Sequence, residues 1–201
     1  MMKVIGLTGP SGAGKGYVAA LFARRGIPSI DTDAVYHALL VPPSPCLDEL
    51  AARFGEGILS SDGTLNRPAL AALVFADGHE SEREDLNRIT HRYVLDEVRR
   101  RLADYACGGA CAVLVDAPQL FESGFDAECH YTLAVLAPRE IRLARIMVRD
   151  ALEEARAKAR LNAAAPDTFF RERCDAVIDN DGTADLSSEI ERLLALWEVT
   201  V

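Results

Sequence analysis

The chain has 201 residues, 49% of them apolar and 26% charged, which suffices to bury a core and excludes a disordered or low-complexity chain. Twenty-two Lys and Arg stand against 31 Asp and Glu, a net charge of −9, so a general nucleic-acid binder is not expected: a surface of that sign repels the phosphate backbone unless a local patch overrides it. Five cysteines without a CxxC pair read as reduced, mostly buried thiols, and neither a membrane-length apolar run nor a targeting pattern is present, so a cytoplasmic monomer or weak homo-oligomer with no membrane partner is expected.

In chain order, KVIGLT at 3–8 predicts a buried strand of a parallel sheet, and YVAALFARRG predicts a helix stopping at Gly26. IPSIDTD predicts a second strand running into a helix from Asp33, and VPPSP at 41–45 predicts a break. From Cys46 to about Arg101 the pattern predicts only helices: CLDELAARFG, RPALAALVFAD with Pro68 near its start, and a long one over about 81–104. The sheet resumes with CAVLVDAP (111–118) and HYTLAVLAP (130–138). RLARIMVRDALEEARAKARLNAAA then reads as helix, DAVIDN (175–180) as a short strand, and about 186–197 as a final amphipathic helix. Strands alternating with helices predict a parallel α/β sheet, with an inserted helical cap between its second and third strands.

Gly9-Pro10-Ser11-Gly12-Ala13-Gly14-Lys15 fits GxxxxGK after a strand and before a helix. Glycines there let backbone N–H groups turn around phosphate oxygens, the helix start adds positive potential, and Lys15 adds a mobile charge. The next position, where the motif carries a Ser or Thr ligand for Mg²⁺, is Gly16. Either waters, phosphates and a carboxylate hold the metal, or the metal site is impaired.

In an open α/β sheet ligands sit beyond the carboxyl ends of the strands. Asp31 and Asp33 at the end of the second predicted strand, and Asp116 at the end of the third, therefore face the crevice that the cradle faces. A carboxylate there can take a proton from an attacking hydroxyl or hold the metal through water; Asp33 could equally cap the next helix. Between Arg139 and Arg160 there are seven basic residues against four acidic ones, with Arg142, Arg145 and Arg149 spaced along one helix face. Arg145 and Arg149 are expected to clamp phosphate, whereas Arg156 and Lys158 read as a solvated face. A second basic cluster, Arg88, His91, Arg92 and Arg99 to Arg101, could meet another anion or lie on the surface.

Together these residues resemble the dephospho-coenzyme A kinase family, from about Val4 to Gly182. The resemblance lies in IGLTG..GAGKG (5–16), IDTDAV (30–35), FGEGIL..DGTLNR (54–67), LVF (73–75), ITHRYV (89–94), VDAPQLFESG (115–124), RLARIMVRD (142–150) and CDAVIDNDG (174–182), in that order. It implies an α/β, three-layer parallel-sheet P-loop NTPase fold of the nucleoside/nucleotide-kinase type. The implied division is a core of 1–40, 108–138 and 174–201, a helical acceptor-binding insert of about 41–107, and a lid of about 139–173. It further implies transfer of the ATP γ-phosphoryl group to the ribose 3′-hydroxyl of dephospho-CoA, with Mg²⁺. Carried over, Asp33 would be the base, Lys15 and the amides of Ser11, Gly12, Ala13, Gly14, Lys15 and Gly16 would hold ATP phosphates, and Arg145 and Arg149 would serve the lid. Asn180 would lie near the adenine, and His91, Leu120, Phe121, Glu122 and Arg67 would lie near dephospho-CoA; among the strand-end carboxylates, Asp116 is the candidate to hold the metal through water. The family has Ser or Thr where Gly16 stands, HP at His91 and Arg92, PLL at Pro118, Gln119 and Leu120, and often Gln near Ala164. These departures keep two alternatives open, a related kinase with a different acceptor and a catalytically weakened ATP-binding relative.

Overall fold

The computed structural model describes residues 1–76 and 78–200. It resolves into two compact units, one formed by Met1–Asp31 with Asp104–Val201 and the other by Thr32–Ala103.

The first unit is built on five parallel strands, β1 (Lys3–Thr8), β2 (Ser29–Asp31), β3 (Ala112–Asp116), β4 (Tyr131–Leu136) and β5 (Ala176–Asp179), in the order β2-β3-β1-β4-β5. Their near-continuous apolar runs fit strands covered on both faces. Alternation along β4 shows the two layers that cover it. Leu133 and Val135 share a cluster with Val18, Phe22, Ile190 and Leu193 of helices α1 (Lys15–Ala23) and α9 (Leu186–Leu196), and Ala134 and Leu136 share one with Phe170. Trp197 closes the first cluster, stacked on Tyr131 at 4.8 Å. Asp185 caps α9, its carboxylate accepting from the Ser187 and Ser188 amides.

The stretch over 142–165 expected to be helical holds α6 (Arg139–Asp150) and α7 (Glu154–Asn162), and beyond it lies α8 (Asp167–Arg173), which supplies Phe170. The break carries neither Gly nor Pro; Ala151 turns through φ 49°. What holds the turn is tertiary. Leu143, Ile146 and Met147 of α6 close an apolar cluster with Ala157 and Leu161 of α7, and Arg160 donates to Asp150 at 2.8 Å.

The second unit is helical: α2 (Thr32–Leu39), α3 (Pro45–Phe54), α4 (Arg67–Val74) and α5 (Glu80–Cys107), whose last residues pass into the first unit. Ser44 caps α3 by accepting from the Leu47 amide and Asn66 caps α4 by accepting from Ala69, each followed by Pro in the first turn. Leu47, Leu50, Ile58, Leu70, Val74 and Ile89 form its core. The basic residues of α5 are laced to neighbouring carboxylates, Arg88 to Asp85, Arg92 to Glu49, Arg99 to Asp96, and Arg100 and Arg101 to Glu97. That favours a solvated face over an anion site.

All five cysteines are free, but only Cys46 is buried; Cys107 is exposed and Cys111, Cys129 and Cys174 are half-buried, so the expectation of mostly buried thiols is corrected. Among the described residues no helix is long and apolar enough to cross a membrane.

Candidate active site

The glycine-rich loop leaves the end of β1, the strand on whose two sides the sheet order diverges, and enters α1. Gly14 is the N-cap of α1 at φ 99°, a conformation that resists a side chain, and a Cβ there would lie 2.2 Å from Nδ2 of Asn180. No side chain caps α1 and its first turn carries no acid, so no side-chain carboxylate of that turn offsets the positive end of the helix.

The loop's carbonyls are tied from outside by cations and an amide. Lys15 Nζ donates to the Gly9 carbonyl at 2.9 Å and Arg142 Nε to that of Ser11 at 3.2 Å. Arg145 Nη1 donates to Gly12 and Ala13 at 3.3 and 3.1 Å, and Asn180 Nδ2 donates to Ala13 at 2.8 Å. A peptide unit is planar with its N–H opposite its C=O, so drawing the Ser11 and Ala13 carbonyls toward these donors turns the Gly12 and Gly14 amides the other way. Successive loop amides turned to one side in this way are the elements of an anion-binding nest.

The three expected guanidiniums do share a face and all reach this loop. Arg149 is the most exposed: its Nη2 reaches Ser11 Oγ at 3.4 Å while Nε and Nη2 donate to the Asp150 carboxylate at 2.7 and 2.8 Å, and its side chain is 57% exposed. Arg145 binds carbonyls, and its Nη2 also reaches the Asn180 carbonyl and Oδ1 at 3.3 and 3.4 Å. Arg142, which the residue pattern placed in the row without a phosphate role, is the buried one, with Nη1 3.3 Å from the Asp167 carboxylate. Burial pulls its pKa down, and Asp167 acts against that.

Asp31 and Asp116 end β2 and β3 as direct partners in parallel register, so their side chains share a face of the sheet. Asp116 is half-buried and Asp31 exposed. Among the described residues no group of three His, Cys, Asp or Glu could hold a metal unaided. Mg²⁺ bound mainly by waters and phosphates needs only one or two carboxylates, and this pair suits it. At Gly16 a Cβ would meet nothing within 4 Å, so the missing hydroxyl does not reflect lack of room.

Asp33 does not end β2, which stops at Asp31; it is exposed in the first turn of α2, one residue inside the helix rather than at its cap. On the same helix face, four residues on, lies His37, which the residue pattern did not single out although the i, i+4 spacing was there to read. Arg67 Nη2 lies 2.9 Å from His37 Nδ1, and because arginine has no acceptor the ring nitrogen accepts. His91 is half-buried on α5. Leu120 is wholly buried, its methyls packed under Gly6 of β1, so its side chain belongs to the core. Phe121 meets Phe169 edge-on at 5.6 Å, with the Arg173 guanidinium 4.6 Å from the Phe169 ring, and Glu122 is exposed. The Asn180 side chain is only 7% exposed and is committed to the loop; what it does here is fix Ala13 and Arg145.

A family model described as dephospho-CoA kinase matches residues 3–185. The chain belongs to the dephospho-CoA kinase family. The dephospho-CoA kinase of Anaeromyxobacter dehalogenans is 41% identical over 195 residues, covering 96% of this chain and 92% of that one. The dephospho-CoA kinase of Syntrophotalea carbinolica is 39% identical, covering 92% and 86%. A crystal structure from Thermus thermophilus, 35% identical over 100% of this chain and 99% of its own, superposes with a TM-score of 0.80. Shikimate kinase from Acinetobacter baumannii, 20% identical with a TM-score of 0.53 and covering 100% and 97%, shares the fold alone. The five-stranded parallel sheet with helices on both faces is thus the α/β fold of P-loop kinases, and the chain is a kinase of this family.

Proposed function

We propose that the protein transfers the γ-phosphoryl group of ATP to the 3′-hydroxyl of dephospho-CoA, in the cytoplasm, as a monomer or weak homo-oligomer. The observation that carries the reading is the phosphate loop: Arg142, Arg145 and Asn180 hold the Ser11 and Ala13 carbonyls, which turns the Gly12 and Gly14 amides the other way beside the start of α1, which no side chain caps. Such a cradle suits a polyphosphate and suits a neutral ligand poorly. Segment 139–173 serves as the lid, and with ATP present Lys15 and Arg149 exchange their carbonyl, hydroxyl and carboxylate partners for phosphate oxygens. Arg149 is the readier of the two because it is more than half exposed. Arg145 and Asn180 keep the loop in shape, Asn180 bordering the adenine.

Asp33 takes the proton from the acceptor hydroxyl as its oxygen attacks phosphorus; the P–O bond to ADP breaks and ADP leaves with the electron pair. His37 and Arg67, joined to each other, together with His91, Phe121 and Glu122, border the acceptor. Mg²⁺ arriving with the nucleotide would be held by Asp116 through water, with Asp31 beside it, and would supply charge neutralisation at the phosphate oxygens.

The test follows coenzyme A and ADP formation from ATP, Mg²⁺ and dephospho-CoA, with other nucleosides as competing acceptors. Asp33→Asn should lower kcat by about 10²- to 10⁴-fold and leave ATP affinity within about twofold. Equal losses in both would remove Asp33 as the base. ATP binding without product from dephospho-CoA would defeat the proposed reaction.

A further inference from the structure

Arg142 is only 6% exposed. Arginine is almost never buried so deeply unless it is paired, because an unbonded guanidinium pays the full cost of leaving water. Its bonds run to two separate places. Nε donates to the carbonyl of Ser11, the first residue of the loop's turn after Pro10, and Nη1 lies 3.3 Å from Asp167, the first residue of α8, whose side chain is 45% exposed. The backbones also meet there: a Cβ at Gly12, which has φ 80°, would lie 2.7 Å from the Arg142 carbonyl oxygen and 3.0 Å from its Cα. Loop and helix α6 thus approach backbone to backbone at Gly12 and Arg142, and the guanidinium reaches past that approach to the preceding loop carbonyl. Arg149, Arg160 and the exposed Arg156 on the same segment show what a solvated arginine looks like here, and Arg142 differs from each of them in burial.

We propose that Arg142 is a positioning residue for nucleotide binding: it draws the Ser11 carbonyl away from the cradle, so that the Gly12 amide points into it, and Asp167 holds the guanidinium in that geometry. The inference rests on the reading of the loop as the ATP phosphate site. Arg142 acts through the loop: its donors are directed at the Ser11 carbonyl and at Asp167 of α8. Loss of its donors should therefore weaken the nucleotide and spare the acceptor. A residue that merely pinned α6 to the core would affect both substrates and the melting temperature together.

The experiment uses the full chain as wild type, Arg142→Met, Arg142→Lys and Asp167→Asn. It measures the Kd of a non-hydrolysable ATP analogue by calorimetry, KM for ATP and for dephospho-CoA, and Tm. Arg142→Met, which keeps the length and removes every donor, should raise Kd and KM for ATP about tenfold with KM for dephospho-CoA within about twofold. Arg142→Lys, which keeps the charge and can still reach one acceptor, should recover about half of that on a logarithmic scale, and Asp167→Asn should cost about threefold. An unchanged analogue Kd in a folded Arg142→Met overturns the proposal, as does a parallel rise in both KM values with a lowered Tm. If Arg142→Met does not fold, Arg142→Lys and Asp167→Asn decide, and analogue affinity equal to wild type in both overturns it. A wild-type protein that binds no ATP analogue overturns the ATP-site reading and this inference with it, an outcome seen before any variant is made.

Discussion

Gly16→Ser restores a hydroxyl at the eighth position of the phosphate loop and separates two physical effects. Gly16 is exposed, lies second in α1, and offers open space to a Cβ. Replacing glycine by serine in a helix recovers about 0.3–0.5 kcal/mol. In a chain of this size about 1 kcal/mol moves Tm by about 2–4 °C, so the variant should melt about 1–2 °C above wild type. Gly14, two residues earlier, predicts the reverse. Gly14→Ala places a side chain at φ 99° and drives a Cβ to 2.2 Å from Asn180 Nδ2, displacing that amide from the Ala13 carbonyl. Backbone strain of about 1–2 kcal/mol and a lost buried hydrogen bond of about 1 kcal/mol should lower Tm by about 4–12 °C.

The second effect concerns the metal. A serine hydroxyl at this place in the motif is an oxygen ligand for nucleotide-bound Mg²⁺. If the added bond contributes about 1 kcal/mol, half-saturation by Mg²⁺ should fall about fivefold. The assay is a Mg²⁺ titration of turnover, paired with melts of the protein with a non-hydrolysable ATP analogue at each Mg²⁺ concentration, so that binding is read without catalysis. A lower Tm for unliganded Gly16→Ser would refute the open-space argument. An unchanged Mg²⁺ requirement in both readouts would show a metal shell already complete without the hydroxyl.

Two further predictions rest on proton affinities. Arg100, with Arg101, holds the Glu97 carboxyl down at about 2, below its value of about 4.3 in an unfolded chain. Its contribution is therefore complete above about pH 4.3 and is lost as pH falls toward about 2; the Tm gap between wild type and Glu97→Gln should be widest near neutrality and narrow below about pH 4, and a gap independent of pH would contradict the ion pairs. Burial, aided by Asp126 and Glu128, pushes the Cys129 thiol up to about 12, and burial pushes Cys46 up to about 11, whereas Cys107 is exposed. Iodoacetamide at neutral pH should label Cys107 at least about tenfold faster than either, read by mass spectrometry of timed digests; comparable rates would show that these sites open readily.

The strands, the phosphate loop and the spacing of Arg142, Arg145 and Arg149 were legible because each is a local pattern: an apolar run, a string of glycines before lysine, a helical period. What each arginine touches was not, because the loop carbonyls lie about 130 positions away along the chain, at separations of 131 for Arg142 and Ser11 and 133 for Arg145 and Gly12. The break between α6 and α7 was illegible for a related reason. Ala151 carries no turn signal of its own and adopts φ 49° because apolar contacts between the two helices and the Arg160–Asp150 pair hold it there. The packing of Leu120 was not legible either, because a motif position fixes a residue's neighbourhood, not the direction of its side chain, and Leu120 points beneath Gly6. Asp33 moved from strand end to helix because β2 has only three residues and α2 begins immediately after it.

A net charge of −9 opposes anion binding only through the long-range field, and that field is screened within about 8–10 Å at physiological salt. Inside that distance the decisive charges are local. Arg142 and Arg145 stand on the carbonyl side of the loop, so their positive charge is held at the cradle by bonds to the peptide units whose amides would meet the phosphate. Peptide dipole and side-chain charge then act in the same direction, and the carbonyl oxygens that would repel an anion are occupied. The acidic surplus is left to the exterior, where Glu49, Asp85 and Asp96 neutralise the arginines of α5 and so remove the competing basic surface from the molecule. Removing those carboxylates should therefore raise nonspecific adsorption to polyanions, with no gain in affinity at the phosphate loop.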